Sequence, residues 1–328
     1  MTEVHPVLRP RGFTCTAPPL TEFVQEFGRL VRNGELAMVC YGPFRHGKST
    51  AAAFIRNSLK QSKKMAVFWA LLEEDSKQQD GPHSIWYDLL RGSELDERNE
   101  RLGLIRPYDS LFRCARADAA RFDTNIVLLV IDEAQNLTLD KLGALKKFVD
   151  ELIEHGLAPF VLLMAQPQVL TLPDRLKKQG RHDLVDRFFT QLYRFRGLQP
   201  GEFRDVLAFY DNTEWPVGSG VTYTAHFAPK PWQRQWRMAD QTGLFVSAFS
   251  QLAASLKVER TELGMKYLVT AVRALLIALQ DRPDCVDNMS DVVWSCVQQS
   301  GLREASHVVG DSVKAALLPE LARKGRRS

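Results

Sequence analysis

The residues Gly42-Pro43-Phe44-Arg45-His46-Gly47-Lys48-Ser49 satisfy the pattern GxxxxGK[ST] at every required position, and Thr50 follows directly. The chemistry of phosphate binding needs each part. Backbone N–H groups of such a loop curl around phosphate oxygens, and Gly47 lets the chain approach them closely. Lys48 reaches the β- and γ-phosphates, Ser49 ligates Mg2+, and the helix that follows turns its positive end towards the anion. The competing reading is a glycine turn beside a surface lysine. His46 reads as a variable loop residue, not as a catalyst.

A second group stands at Asp132-Glu133, closing the apolar run Ile126-Val127-Leu128-Leu129-Val130-Ile131. Carboxylates at the carboxyl end of a parallel strand lie where ligands bind in open α/β sheets. There Asp132 would hold Mg2+, mostly through water, and Glu133 would orient and deprotonate an attacking water. Alone, the pair reads equally as a solvated acidic turn. Beside a phosphate loop it points to Mg2+-dependent ATP hydrolysis, and the glutamate argues against a nucleotide held only as a static ligand.

The seven histidines show no HExxH or other metal spacing, so a zinc site has no support. The five cysteines (Cys15, Cys40, Cys114, Cys285, Cys296) are scattered, odd in number and without a CxxC pair. That disfavours a zinc ribbon or a disulfide framework and fits a reducing cytosol.

These groups need strands and helices to position them. Thr21 reads as the N-cap of a helix carrying Phe23, Phe27, Leu30 and Val31 and ending near Gly34. The apolar run 36–41 reads as a buried strand leading into the glycine loop, and an Ala-rich helix follows over 51–61. Further strands are expected at 65–72, 126–131, 159–165 and 192–198. Helices fall between them around Ile85–Leu90, over 110–122, and from the cap Thr138 to the stop Gly156, with 73–105 otherwise charged and irregular. Strands alternating with helices imply a doubly wound parallel sheet. Beyond about residue 200 helical periodicity dominates, at 200–211, 243–256, 261–280, 287–299 and 302–322. The expected organisation is an N-terminal arm on the surface (1–20), an α/β domain (21–200) and a helical C-terminal domain (201–328). An aromatic, hairpin-like insertion falls at about 212–238.

The chain has 328 residues, 45% of them apolar and 25% charged, which suits one large or two modest soluble domains and excludes general disorder. A net charge of +4 permits a local basic patch without establishing nucleic-acid binding. No signal-like N-terminal run occurs, and no stretch of about 18 apolar residues, so a cytoplasmic protein with no membrane partner is expected.

The segments VIDEAQNL (130–137), VLLMAQPQVL (161–170) and GRHDLVDRFFTQLYRFRGLQPGEF (180–203) resemble the AAA+ ATPases of DNA transposition, the TnsC, TniB and MuB group. The resemblance covers roughly residues 15–210. It implies a P-loop AAA+ ATPase fold with a parallel β-sheet core and a helical C-terminal lid. It gives Gln166 the sensor-1 role and makes Arg187 the candidate arginine finger, with Arg181 as close competitor. The chain departs from the wider AAA+ pattern in one place. Gly243, in TGLFVSAFSQLA, has no sensor-2 Arg beside it, so the role is lost or falls to another residue such as Arg237.

The resemblance further implies ATP-bound protomers assembling head-to-tail, as a ring or filament on double-stranded DNA, and recruiting a transposase with a target-selector protein. Candidate phosphate contacts are Lys60, Lys63 and Lys64; Arg113, Arg116 and Arg121; Lys146 and Lys147; and the tail Arg323, Lys324, Arg326 and Arg327. Any one of these clusters is more often a solvated face, and the tail more often a solvated terminus, than a DNA contact. The insertion aromatics Trp215, Tyr223, Phe227, Trp232 and Trp236 are either a docking surface or side chains folded back onto the lid. Two other classes stay open. One is an ExeA-like ATPase acting on protein partners without DNA; the other is a nucleotide-gated scaffold with negligible turnover. No Asp/Asp/Glu set on an RNase-H-like strand pattern is recognisable, which disfavours a transposase.

Overall fold

The computed structural model describes residues 4–9, 12–72, 84–92, 107–257 and 262–305. Most of the irregular reach expected over 73–105, the basic tail, and all but the first residues of the helix expected over 302–322 lie outside them. Among the described residues the chain divides into two compact units, one of residues 23–42 and 51–195, the other of 4–22, 43–50 and 196–305.

The first unit is built on a five-stranded sheet. Its strands are β1 (Ala37–Tyr41), β2 (Ala66–Leu71), β3 (Ile126–Asp132), β4 (Ala158–Ala165) and β5 (Leu192–Arg194), in the order β2-β3-β4-β1-β5. Every pairing is parallel, with Leu71 opposite Asp132, Ile131 opposite Leu163, and Tyr41 opposite Ala165. The three central strands are unbroken apolar runs because both faces of the sheet are covered, so they show no period-two alternation.

The helices that lie wholly or mostly in this unit are α1 (Pro18–Arg32), α2 (Lys48–Ser62), α3 (Ser84–Gly92), α4 (Pro107–Arg121), α5 (Leu139–Glu154), α6 (Leu172–Lys178) and α7 (His182–Phe188). α1 begins at Pro18, three residues before the expected cap Thr21. A proline in the first turn loses no helical hydrogen bond there and arrives with helical φ already set. α5 starts as expected: the Thr138 hydroxyl accepts from the Lys141 N–H, and Gly156 takes a left-handed φ of +77° just past its end. Its buried face carries Leu142, Leu145, Phe148, Val149 and Leu152, and Phe148 packs against the rings of Trp86, Tyr108 and Phe112.

β5 is shorter than the expected 192–198. Phe195 N–H still donates to Tyr41 O, but Gly197 N–H goes to the Glu262 carboxylate and Leu198 bridges Leu263 antiparallel. Those partners draw the chain off the ladder.

The second unit is helical. It contains α8 (Phe203–Asn212), α9 (Tyr223–Phe227), α10 (Pro229–Gln233), α11 (Thr242–Ser255), α12 (Met265–Asp281) and α13 (Met289–Gln298). Phe245, Leu268, Val272, Leu275, Leu276, Val293 and Val297 are wholly buried in its core. Arg196 joins its segments, pairing with Glu22 and Glu202 at 2.5 and 2.6 Å. Those hydrogen bonds hold the Glu202 carboxyl below its usual range.

The described residues 4–9 and 12–20 are not a loose surface arm. Val7, Cys15 and Ala17 are buried in the helical core, and burial, followed by the nearby Asp205 charge, pushes the Cys15 thiol up to about 12. His5 is also buried. Its ring stacks on His226 at 4.5 Å and meets Trp215, Tyr223 and Phe227 edge-on. The aromatic insertion folds inward in the same way. Tyr223 and Phe227 are in the core, Trp215 and Trp236 pack against it, and Trp232 lies under the Arg237 guanidinium at 3.6 Å. A hairpin-like element is present in a minimal form, a Glu214–Thr222 bridge whose turn is held by N–H groups of Gly218 and Gly220 donating to the Glu214 carboxylate.

Candidate functional site

At the carboxyl edge of the sheet, Asp132 ends β3 and is 8% exposed. Its Oδ1 accepts the Glu133 N–H at 3.0 Å. Glu133 is in the left-handed region (φ +55°, ψ +42°), a conformation that costs a residue with a Cβ about 1–2 kcal/mol. The turn is pinned from two sides. Leu72 N–H donates to Asp132 O, and the Asn136 side-chain amide donates to Leu72 O.

The Glu133 side chain does not point at random. The Gln135 and Gln166 amides both donate to its Oε2, at 2.5 and 3.0 Å, while Gln166 N–H donates to Gln135 Oε1 at 3.0 Å. Gln166 stands one residue past β4, which is hydrogen-bonded to β3, so the sheet register itself brings the two side chains together. Gln135 is the residue that sequence reasoning missed. It closes a ring in which the base candidate and the sensor candidate fix each other, leaving Glu133 Oε1 as the oxygen that neither amide engages. The signal was a second Gln two residues past the glutamate, indistinguishable in sequence from any polar turn residue.

The glycine loop leaves the end of β1. Gly42 is required by packing, because a Cβ there would sit 2.4 Å from Phe195 O. Gly47 adopts φ +109°, which a residue with a Cβ rarely takes. α2 then starts at Lys48, and its first turn carries no acidic residue of its own, which suits an anion at the positive end of the helix. Lys48 Nζ donates to Pro43 O at 2.9 Å, folding the ammonium back over its own loop. His46 is buried, Phe44 and Thr50 are exposed, and Ser49 is half-buried.

The two finger candidates are both engaged within the chain. Arg187 on α7 pairs with Asp150 at 2.6 Å, where Asp150 also meets Lys146. Arg181 pairs with Asp183 at 3.0 Å and holds that carboxyl below its usual range. Arg237 donates to Trp232 O and Trp236 O and stacks on Trp232, so its guanidinium serves the insertion. Among the basic clusters, Lys63 and Lys64 are exposed just before β2, and Arg121 is exposed at the end of α4, just before β3. β2 and β3 pair in parallel, and Thr124 Oγ1 donates to Lys64 O. These three cations therefore share the amino edge of the sheet, opposite the edge that carries Glu133. Arg113 and Arg116 are exposed on α4, and Lys147 on α5.

A family model described as an AAA domain matches residues 31–172. No curated protein matches the chain in sequence. Among solved structures, the ORC2 protein of Aeropyrum pernix in ADPNP and ADP complexes is similar with a TM-score of 0.53 at 11% identity, over 89% of this chain and 71% of that one. A Walker-type ATPase of Pyrococcus abyssi gives 0.51 at 12%, over 98% and 81%. Drosophila ORC bound to DNA gives 0.50 at 15%, over 86% and 68%. The parallel sheet with its surrounding helices is an AAA+ P-loop ATPase fold.

Proposed function

We propose that the chain is a Mg2+-dependent ATPase whose nucleotide state controls its assembly on double-stranded DNA, in the service of DNA transposition. The observation that carries the enzymatic half is the ring of Glu133, Gln135 and Gln166 at the carboxyl edge of an AAA+ sheet. A carboxylate oriented by two amides is what a general base for water needs, since the donors fix its direction. In this reading the backbone N–H groups of residues 42–50 and the Lys48 ammonium hold the phosphates. Glu133 takes a proton from water as that oxygen attacks the γ-phosphorus and ADP leaves. Gln166 steadies the attacking water or the γ-phosphate.

Ser49 and Asp132 supply the hard oxygen donors that Mg2+ prefers, and Asp132 is fixed by its own bond to Glu133 N–H. When bound, the cation would neutralise charge on the β- and γ-phosphates.

The DNA half rests on the resemblance of VIDEAQNL, VLLMAQPQVL and the 180–203 segment to transposition ATPases, and on the exposed cations Lys63, Lys64 and Arg121 at the amino edge. A structural relative, Drosophila ORC, is bound to DNA. In this reading ATP favours a head-to-tail oligomer on target DNA that receives a transposase and a target selector. Arg187 or Arg181 then leaves its intrachain carboxylate to reach a neighbour's nucleotide, and hydrolysis releases the assembly.

The test is electron microscopy of the chain with duplex DNA, comparing a slowly hydrolysed ATP analogue with ADP. Ordered rings or filaments formed only with the analogue and DNA support the reading. Monomers in both states, with DNA unbound at low salt, overturn its DNA half and favour an ATPase that acts on protein partners.

A further inference from the structure

Arg45 occupies a position in the glycine loop that the motif leaves free, and it does so at a cost. Its φ is +67°, a left-handed conformation natural to glycine and unfavourable to arginine by about 1 kcal/mol or more. The loop retains an arginine where glycine would be relaxed, and the structure shows what that side chain reaches.

Arg45 Nη1 donates to Gly301 O at 3.2 Å, across 256 positions of sequence. The guanidinium lies over the Tyr267 ring, 5.6 Å from its centroid. From the same residue, the backbone carbonyl accepts the Lys266 N–H at 3.2 Å. Lys266 is the second residue of α12, so this bond satisfies one of the N–H groups that a helix start leaves open. The loop carbonyl is a cap for α12.

The receiving surface is shaped for this residue. Gly264, the N-cap of α12, comes so close that a Cβ would stand 3.0 Å from Arg45 O. Gly301 adopts φ +80°, and a Cβ there would stand 3.2 Å from Arg45 Nη1. Backbone and side chain of one loop residue thus hold two separate parts of the helical unit, the start of α12 and the turn at residue 301.

We propose that Arg45 is the positioning residue through which the state of the phosphate loop is passed to α12 and the 301–305 turn. The inference rests on the nucleotide reading above. The 242–255 helix has no arginine to reach out towards nucleotide, and the direction is reversed here: the loop reaches out to the helices. When the loop tightens around phosphate, the Arg45 carbonyl and guanidinium move with it, and the amides they hold move or stiffen.

The experiment is backbone hydrogen–deuterium exchange on the full chain, with and without a slowly hydrolysed ATP analogue and Mg2+. It is read at residues 265–268 and 302–305, beside an equilibrium titration of the analogue. Arg45→Gly is the first variant, because glycine relaxes the left-handed backbone and so preserves the fold. Arg45→Lys is the second, keeping the charge without the guanidinium plane.

In the unsubstituted chain the analogue is expected to slow exchange at both segments by about tenfold. In Arg45→Gly, read at analogue concentrations that the titration shows to be saturating for the variant, the nucleotide-dependent slowing at 302–305 should fall below about twofold. Arg45→Lys should recover only part of it. A merely structural role would change exchange equally with and without nucleotide, and that result overturns the inference, as does a full response in Arg45→Gly. Failure of the unsubstituted chain to bind the analogue overturns the nucleotide reading itself, and this inference with it.

Discussion

The sheet unit and the helical unit place their important residues at very different ranges in sequence. In the sheet unit, Glu133 is one residue past β3 and Gln166 one past β4, and strand register does the rest. In the helical unit the defining contacts close long loops: Arg45 to Gly301, Arg273 to Arg9 O, and Arg196 to Glu22 are separated by 256, 264 and 174 positions. Candidate chemistry is therefore inherited from a local strand-and-turn pattern. The machinery that would respond to that chemistry depends on long-range closure, which no local pattern encodes. Substitutions at the strand ends should alter turnover and leave stability nearly intact, whereas those in the helical unit should alter stability or coupling first.

The largest effect is expected at the glycine loop. Lys48→Ala removes the charge-assisted bonds to phosphate, worth about 1.5–3 kcal/mol, and should weaken nucleotide binding by about a hundredfold. Calorimetric titration checks this, and an unchanged dissociation constant would place the nucleotide elsewhere. Next comes the ring. Gln135→Ala frees Glu133 from one of its two amide donors and should lower turnover by about tenfold, the scale of one positioning hydrogen bond, with nucleotide affinity unchanged. Equal losses in affinity and turnover would show that Gln135 only supports the loop.

A smaller effect tests the framework. Thr138→Ala removes the N-cap of α5 and should cost about 1 kcal/mol in urea unfolding while sparing turnover per folded molecule.

The smallest is a pH dependence in the helical unit. Burial, then the nearby His226 and Arg9 charges, lower the His5 pKa from 6.5 to about 4. A histidine held neutral in the fold contributes stability that is complete above pH 6.5 and is lost as pH falls towards 4. Thermal melts across that window should show the decline, and His5→Phe, which keeps an aromatic ring in the cluster, should flatten it.

The same contrast explains what could be read from the sequence. β1, β3 and β4 are legible because a strand buried on both faces must be apolar throughout, and Thr138 and Gly156 mark the ends of α5 by cap chemistry alone. The glycine loop and Asp132-Glu133 are legible because their chemistry fixes residue type at fixed spacing. Thr21 suits a cap in isolation, whereas α1 begins at Pro18, directly after the buried Cys15 and Ala17. β5 ends sooner than its local sequence suggests because the competing partners of Gly197 and Leu198 lie more than sixty positions ahead. Gln135 and Arg45 look like variable turn residues until the folded chain supplies their partners. Trp215, Tyr223 and Phe227 pack inward against partners that include His5, more than two hundred positions earlier in the chain.

Whether Glu133 is the base of an ATP-hydrolysing site is decided by single-turnover hydrolysis. Mg2+ and ATP would be mixed with excess unsubstituted chain or Glu133→Gln, with binding measured on the same samples. If Glu133 is the base, binding should be equal and hydrolysis should fall by about 10²–10⁴-fold in the variant, the usual contribution of a general base. Hydrolysis by Glu133→Gln at the unsubstituted rate would contradict it.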